Sequence, residues 1–82
     1  MIIEQQEPST ISVFPNPTNN QITVTGTETE LKTIKIYNVF GQEIIVEILE
    51  DNSNNIIIDM SNLSAGIYYV ITKNNVNKVL RQ

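Results

Sequence analysis

The sequence predicts an all-β fold, an immunoglobulin-like Greek-key β-sandwich of about seven short antiparallel strands. Three observations carry that prediction. Apolar residues alternate through several short segments, and no segment carries a helical period. Turns rich in Asn, Gly and Pro interrupt those segments at intervals of about 8–12 residues, the spacing of a small sandwich. The third is Leu63-Ser64-Ala65-Gly66-Ile67-Tyr68, with a Leu five residues and a Gly two residues ahead of a Tyr. This spacing suits a tyrosine corner: Leu63 plugs the end of the core, Gly66 allows a tight crossing, and the Tyr68 hydroxyl ties back to upstream backbone.

The elements follow in order. Residues 1–10 are mostly polar, include Pro8, and read as a linker remnant; the domain proper spans residues 11–82. Ile11 to Phe14 is the first strand, stopped by Pro15, which has no N–H to give a ladder. Asn16 is held between Pro15 and Pro17, so the corner is stiff. Gln21 to Thr25 alternates as the second strand, and Glu28 to Leu31 reads as an acidic loop. Lys32 to Asn38 is the third strand, with Ile34 and Ile36 facing the core. A turn at Phe40-Gly41 leads into Gln42 to Leu49, the fourth strand, with Ile44, Val46 and Ile48 in register. Asn55 to Asp59 is the fifth strand, Gly66 to Thr72 the sixth, with Tyr68 and Val70 inward, and Val76 to Arg81 the seventh. Asn74-Asn75 forms the last hairpin tip, because Asn tolerates positive φ.

The alternation leaves Ile45, Leu49, Ile57, Ile67, Tyr69 and Ile71 on nominally solvent-facing positions. Such a cluster marks a binding surface. The plainer reading is that loops fold over short strands and single exposed Ile residues are common.

Composition excludes several functions. The 82 residues are 40% hydrophobic, enough for one small core. A net charge of -4 argues against nucleic acid as a partner, since phosphate neutralisation needs Lys and Arg. With no Cys there is no disulfide or thiolate site, and with no His the commonest general base and metal ligand are missing. The serines therefore lack an obvious activating base, and the pairs Glu28/Glu30 and Glu50/Asp51 sit on turns, not across a cleft. Asp51-Asn52-Ser53-Asn54-Asn55 begins like a calcium loop, but Ile56 stands where Gly makes the turn and Asn62 where Glu gives bidentate ligation. No catalytic residue, metal or cofactor is expected.

Four motifs in order point to something narrower: Pro15-Asn16-Pro17 after the first strand, Gly41-Gln42 at the mid-domain turn, Leu63, Gly66 and Tyr68 at the entry to the penultimate strand, and Lys78-Val79-Leu80-Arg81-Gln82. Together they resemble the C-terminal sorting domain of type IX secretion cargo proteins, the A-type. The resemblance covers residues 11–82. It implies an export tag that leads its upstream cargo domain through the periplasm to the cell surface or medium. The implied partners are the type IX translocon, an outer-membrane shuttle protein and a sortase-like surface peptidase that removes the domain. It also implies that the export leader lies upstream of Met1, since Glu4 and Glu7 rule out a signal peptide here. The rival is a fibronectin-like or carbohydrate-binding adhesion or spacer module. Its aromatic platform is poorly supplied, with Tyr37 and Tyr69 the aromatics expected outside and no Trp. Lys78 and Arg81 concentrate positive charge on the last strand of an acidic chain, either as part of the signal or as protection of a sheet edge.

Overall fold

The computed structural model describes residues 11–82, so the linker reading of residues 1–10 lies outside the described residues. Eight strands form two antiparallel four-stranded sheets. The strands are β1 (Ser12–Phe14), β2 (Gln21–Thr25), β3 (Lys35–Asn38), β4 (Glu43–Ile44), β5 (Glu47–Asp51), β6 (Asn55–Asp59), β7 (Gly66–Ile71) and β8 (Val76–Arg81), with one helical turn, α1 (Glu28–Leu31). The first sheet runs β1-β2-β6-β5 and the second β4-β3-β7-β8. This order, with early and late strands adjacent in each sheet, is the Greek-key sandwich that the alternation predicts.

The core forms where the inner faces meet. Ile22, Val24, Ile56 and Ile58 come from the first sheet, and Ile36, Tyr68, Val70 and Val79 from the second; Ile11, Leu31 and Met60 close the ends. Their pairing shows why register is secure. Ile22 faces Ile58 and Val24 faces Ile56, while Ile36 faces Val70. A one-residue slip would turn these Ile and Val side chains to the opposite face.

Three local readings are corrected. The fourth strand is not continuous: Glu43–Ile44 pairs with β3, the chain crosses over at Ile45-Val46, and Glu47–Asp51 pairs with β6 in the other sheet. Ile44 and Val46 pack against the core, but Ile45 is 85% exposed at the crossover. Ile48 is exposed because β5 is an edge strand whose register shifts between Ile48 and Glu50. The third strand begins at Lys35, not Lys32, because the acidic loop is helical. Thr27 caps that turn, its hydroxyl accepting from Glu30 N–H at 3.2 Å.

Glu30 then does something other than cap. Its buried carboxylate accepts from the Asn74 side-chain amide at 3.0 Å, which pins the β7–β8 hairpin to α1. Asn74 therefore serves at the tip as a donor; no non-Gly residue among those described has positive φ, contrary to the expectation for this tip. The Thr72 hydroxyl has the largest effect in lowering the Glu30 pKa, although it sits outside strict hydrogen-bonding geometry; burial opposes it, and the Asn74 and Asn75 bonds add to the lowering. Asp59 is likewise held below its ordinary value by the Ser61 hydroxyl and then the Ser61 N–H.

The tyrosine corner is present. Tyr68 is buried and its hydroxyl donates to Ser64 C=O at 2.7 Å. Leu63 is half-buried against the core. Gly66 has φ +147, with nothing within 4 Å of a would-be Cβ, so its constraint is torsional and not a crowded crossing.

Two outcomes test this account. Tyr68→Phe removes one part-buried hydrogen bond and costs about 1 kcal/mol in chemical denaturation. For Glu30, a lowered folded pKa means stability that is present above the unfolded value of 4.5 and is lost as pH falls through the folded value. The melting temperature of the wild type therefore falls on acidification below about pH 4.5, and Glu30→Gln flattens that slope, leaving the Asp59 part.

Candidate functional site

The sequence motifs are far apart in the chain, and the fold brings them to one place. Asn16 is the link. Its side-chain amide donates to Lys78 C=O at 2.9 Å, and its side-chain oxygen accepts from Leu80 N–H at 3.0 Å. Thr18 continues the pattern through its backbone, donating to Leu80 C=O at 2.9 Å and accepting from Gln82 N–H at 2.8 Å. Residues 16–18 thus lie along the outer edge of β8 as a short parallel partner, bridged at Thr18 and Arg81. An Asn amide has the same donor and acceptor as a peptide group, so one side chain serves as a rung of the ladder.

This covering answers a need. β8 is the edge of the second sheet, and the antiparallel alternation turns the backbone groups of its even-numbered residues outward. The peptide bonds preceding Pro15 and Pro17 are both cis. Thr18 is itself buried, its hydroxyl donating to Gln21 C=O and accepting from Asn20 N–H.

The mid-domain turn is equally determined. Asn38 Oδ1 accepts from the N–H groups of Phe40 and Gln42, and its Nδ2 donates to Gln42 Oε1 at 2.9 Å. Gly41 has φ +80, which explains a Gly there. The fixed turn holds Phe40 with 83% of its surface exposed.

Across the second sheet these pieces form one band. Gln42 and Asn38 close the β3–β4 end, Asn38 pairs with Tyr68, Tyr68 with Val79, and the flanking Leu80 is held by Asn16 and Thr18. Pro15, Pro17, Gly66 and Gln82 fall on the same elements or their immediate ends.

A profile of the secretion system C-terminal sorting domain family matches residues 12–82. The chain belongs to that family. No curated protein and no solved structure gave a match. As a C-terminal type IX sorting signal, the domain implies attachment to an upstream cargo, interaction with the type IX machinery, and export to the cell surface or extracellular space.

In the sorting domain, neighbouring motif residues have different jobs. Val79 is fully buried and Lys78 and Leu80 face solvent. Arg81 is not the outward edge charge that its place in the sequence suggests. It shares the inward parity of Val79, and its guanidinium donates to Met60 C=O at 2.8 Å, to Ser61 C=O at 3.0 Å and to Gln82 C=O. It ties β8 to the β6–β7 connection.

Sequence reasoning missed Glu30, Thr18 and the exposed rings of Phe14 and Phe40. The Thr27-x-x-Glu30 spacing is a helix-start signature that could have revealed α1. Thr18 has local hydroxyl partners in Asn20 and Gln21, but the backbone partners that seat it on β8 are more than sixty residues away.

Three variants separate structure from surface at β8. Asn16→Asp keeps the acceptor for Leu80 but sets a carboxylate against Lys78 C=O; it costs about 1–2 kcal/mol, and amide exchange at Leu80 and Gln82 speeds up. Arg81→Gln costs about 2 kcal/mol by loss of charge-assisted bonds, whereas Lys78→Glu leaves the melting curve nearly unchanged.

Proposed function

We propose that residues 11–82 act as a detachable A-type export signal, read as a folded unit after its cargo has reached the periplasm. The machinery binds the domain, an outer-membrane shuttle protein accompanies it, and a sortase-like surface peptidase cuts in the upstream segment, residues 1–10 or beyond. The domain itself performs no catalysis. Its contribution is a rigid surface, and the observation that carries this reading is the convergence of four separated motifs on one end of the second sheet.

Rigidity supports the proposal. A signal read as a surface needs its residues fixed relative to one another, since ordering a flexible segment would subtract from the binding free energy. Here the second motif is fixed by the Asn38 bonds, the third by the tyrosine corner, and the first and last hold each other through Asn16. The recognition residues we assign are Pro15, Asn16, Pro17, Gly41, Gln42, Leu63, Gly66, Tyr68 and Lys78 to Gln82. Several of them act by shaping the surface and not by touching the partner.

The test is a folded periplasmic reporter with these residues at its C-terminus, expressed in a type IX-competent strain and in its translocon-deficient derivative. The expected result is reporter outside the first strain and periplasmic in the second. Equal release from both strains would refute the signal reading.

A further inference from the structure

The two sheets of the sandwich differ in their outer faces, and the difference is chemical. On the first sheet the outward positions include Gln21, Thr23 and Thr25 on β2, Asn55 and Asp59 on β6, and Glu47 on β5. Phe14 on β1 and Ile57 on β6, on either side of Thr23, are the apolar members of an otherwise polar, solvated face, as expected of an antiparallel sheet in water. On the second sheet β7 reads Ile67-Tyr68-Tyr69-Val70-Ile71 without a polar break. A strand apolar on both faces is the pattern of a strand covered on both faces.

The cross-strand pairs show what that outer face looks like. One row is Glu43, Tyr37, Tyr69 and Lys78; beside it Ile67 pairs with Leu80, and on the other side Lys35, Ile71 and Val76 form a third row. Leu80 and Val76 are 42% and 67% exposed, and Phe40 stands at the end of the sheet on its fixed turn. Two adjacent tyrosines thus sit at the centre of an aliphatic surface, the composition enriched in the anchoring part of protein interfaces.

Charge is partitioned the same way. The chain has five Lys and Arg, and four of them, Lys35, Lys73, Lys78 and Arg81, lie in the second sheet or its hairpin tip. Of the nine carboxylates, two (Glu4 and Glu7) precede the described residues; six of the remaining seven lie on α1 or the first sheet, leaving Glu43 alone on the second. Arg81 turns inward and Lys35 lies 3.9 Å from Glu43, so Lys78 is the outward cation that flanks the tyrosines. Such a face is complementary to a surface that offers apolar side chains to the tyrosines and carboxylates to Lys78, and charge of that kind steers association and orients it.

We propose that the outer face of the second sheet, centred on Tyr37 and Tyr69 and flanked by Lys78, is the docking surface for an apolar, acidic-rimmed site on the secretion machinery. This rests on the export-signal reading and names the surface that reading leaves open.

The test uses the same reporter fusion with three variants. Tyr37→Ser with Tyr69→Ser removes the centre, Lys78→Glu reverses the flank, and Ile48→Ser with Leu49→Ser, exposed on β5 of the first sheet, is the control. Melting of each purified domain establishes that it folds. Export falls about tenfold or more for the tyrosine pair and about threefold for Lys78→Glu, and is unchanged for the control. If the tyrosine pair fails to fold, the Lys78 variant and a photo-cross-linking residue at Leu80 carry the decision. The expected adduct is with a type IX component. An adduct only with the cargo domain or a second copy, or no adduct at all, overturns the proposal. Translocon-dependent export of the wild type with normal export of every folded face variant overturns the docking face and leaves the signal reading standing; translocon-independent export of the wild type refutes both.

Discussion

The arrangement of this domain depends on how the outer edge of β8 is satisfied. An edge strand offers a row of unpaired N–H and C=O groups, and such a row invites pairing with another chain. Here the row is closed by residues that lie more than sixty positions earlier, with Asn16 lending a side chain in place of a peptide group. The two-proline corner and the final strand are therefore one structural unit. A substitution in the corner is felt at the last strand, and the reverse.

The opposite end of β8 is held by a different device. The β7–β8 hairpin tip reaches α1, where the Glu30 carboxylate receives Asn74. A buried carboxylate is costly unless hydrogen-bonded, and the surrounding Thr and Asn groups keep it charged. Clamped at both ends, the β7–β8 hairpin holds its outer face in a fixed geometry. That fixity keeps Tyr69 and Lys78, paired on neighbouring strands, side by side on the same face.

Much of the fold was legible in the sequence because alternation is a direct record of burial. Ile22 and Val24, Ile56 and Ile58, and Tyr68 and Val70 each declared an inner face that the sheets then joined. What was illegible had a common cause. The break at Ile45-Val46 preserves the alternation on either side, so the sequence reads straight through a place where the chain changes sheets. Thr18 and Asn16 owe their roles to backbone groups of β8, which have no sequence signature at all. The helical turn at Glu28–Leu31 is too short to show a period and is betrayed only by its cap.

The last motif shows most clearly what a linear pattern conceals. Lys78-Val79-Leu80-Arg81 reads as two basic residues enclosing two apolar ones, and as a string it suggests two equivalent charges. Strand parity assigns them otherwise. Val79 and Arg81 turn inward, one into the core and the other onto the carbonyls of Met60 and Ser61, while Lys78 and Leu80 turn outward. Arg suits the inward task because its planar guanidinium presents several donors in a fixed fork, so that it can meet carbonyls of two successive residues. Lys suits the outward task because a flexible, hydrated charge costs little to expose and steers a partner at a distance. One strand thus divides its residues between holding the sandwich together and facing solvent. A substitution that ignores the parity confounds the two functions.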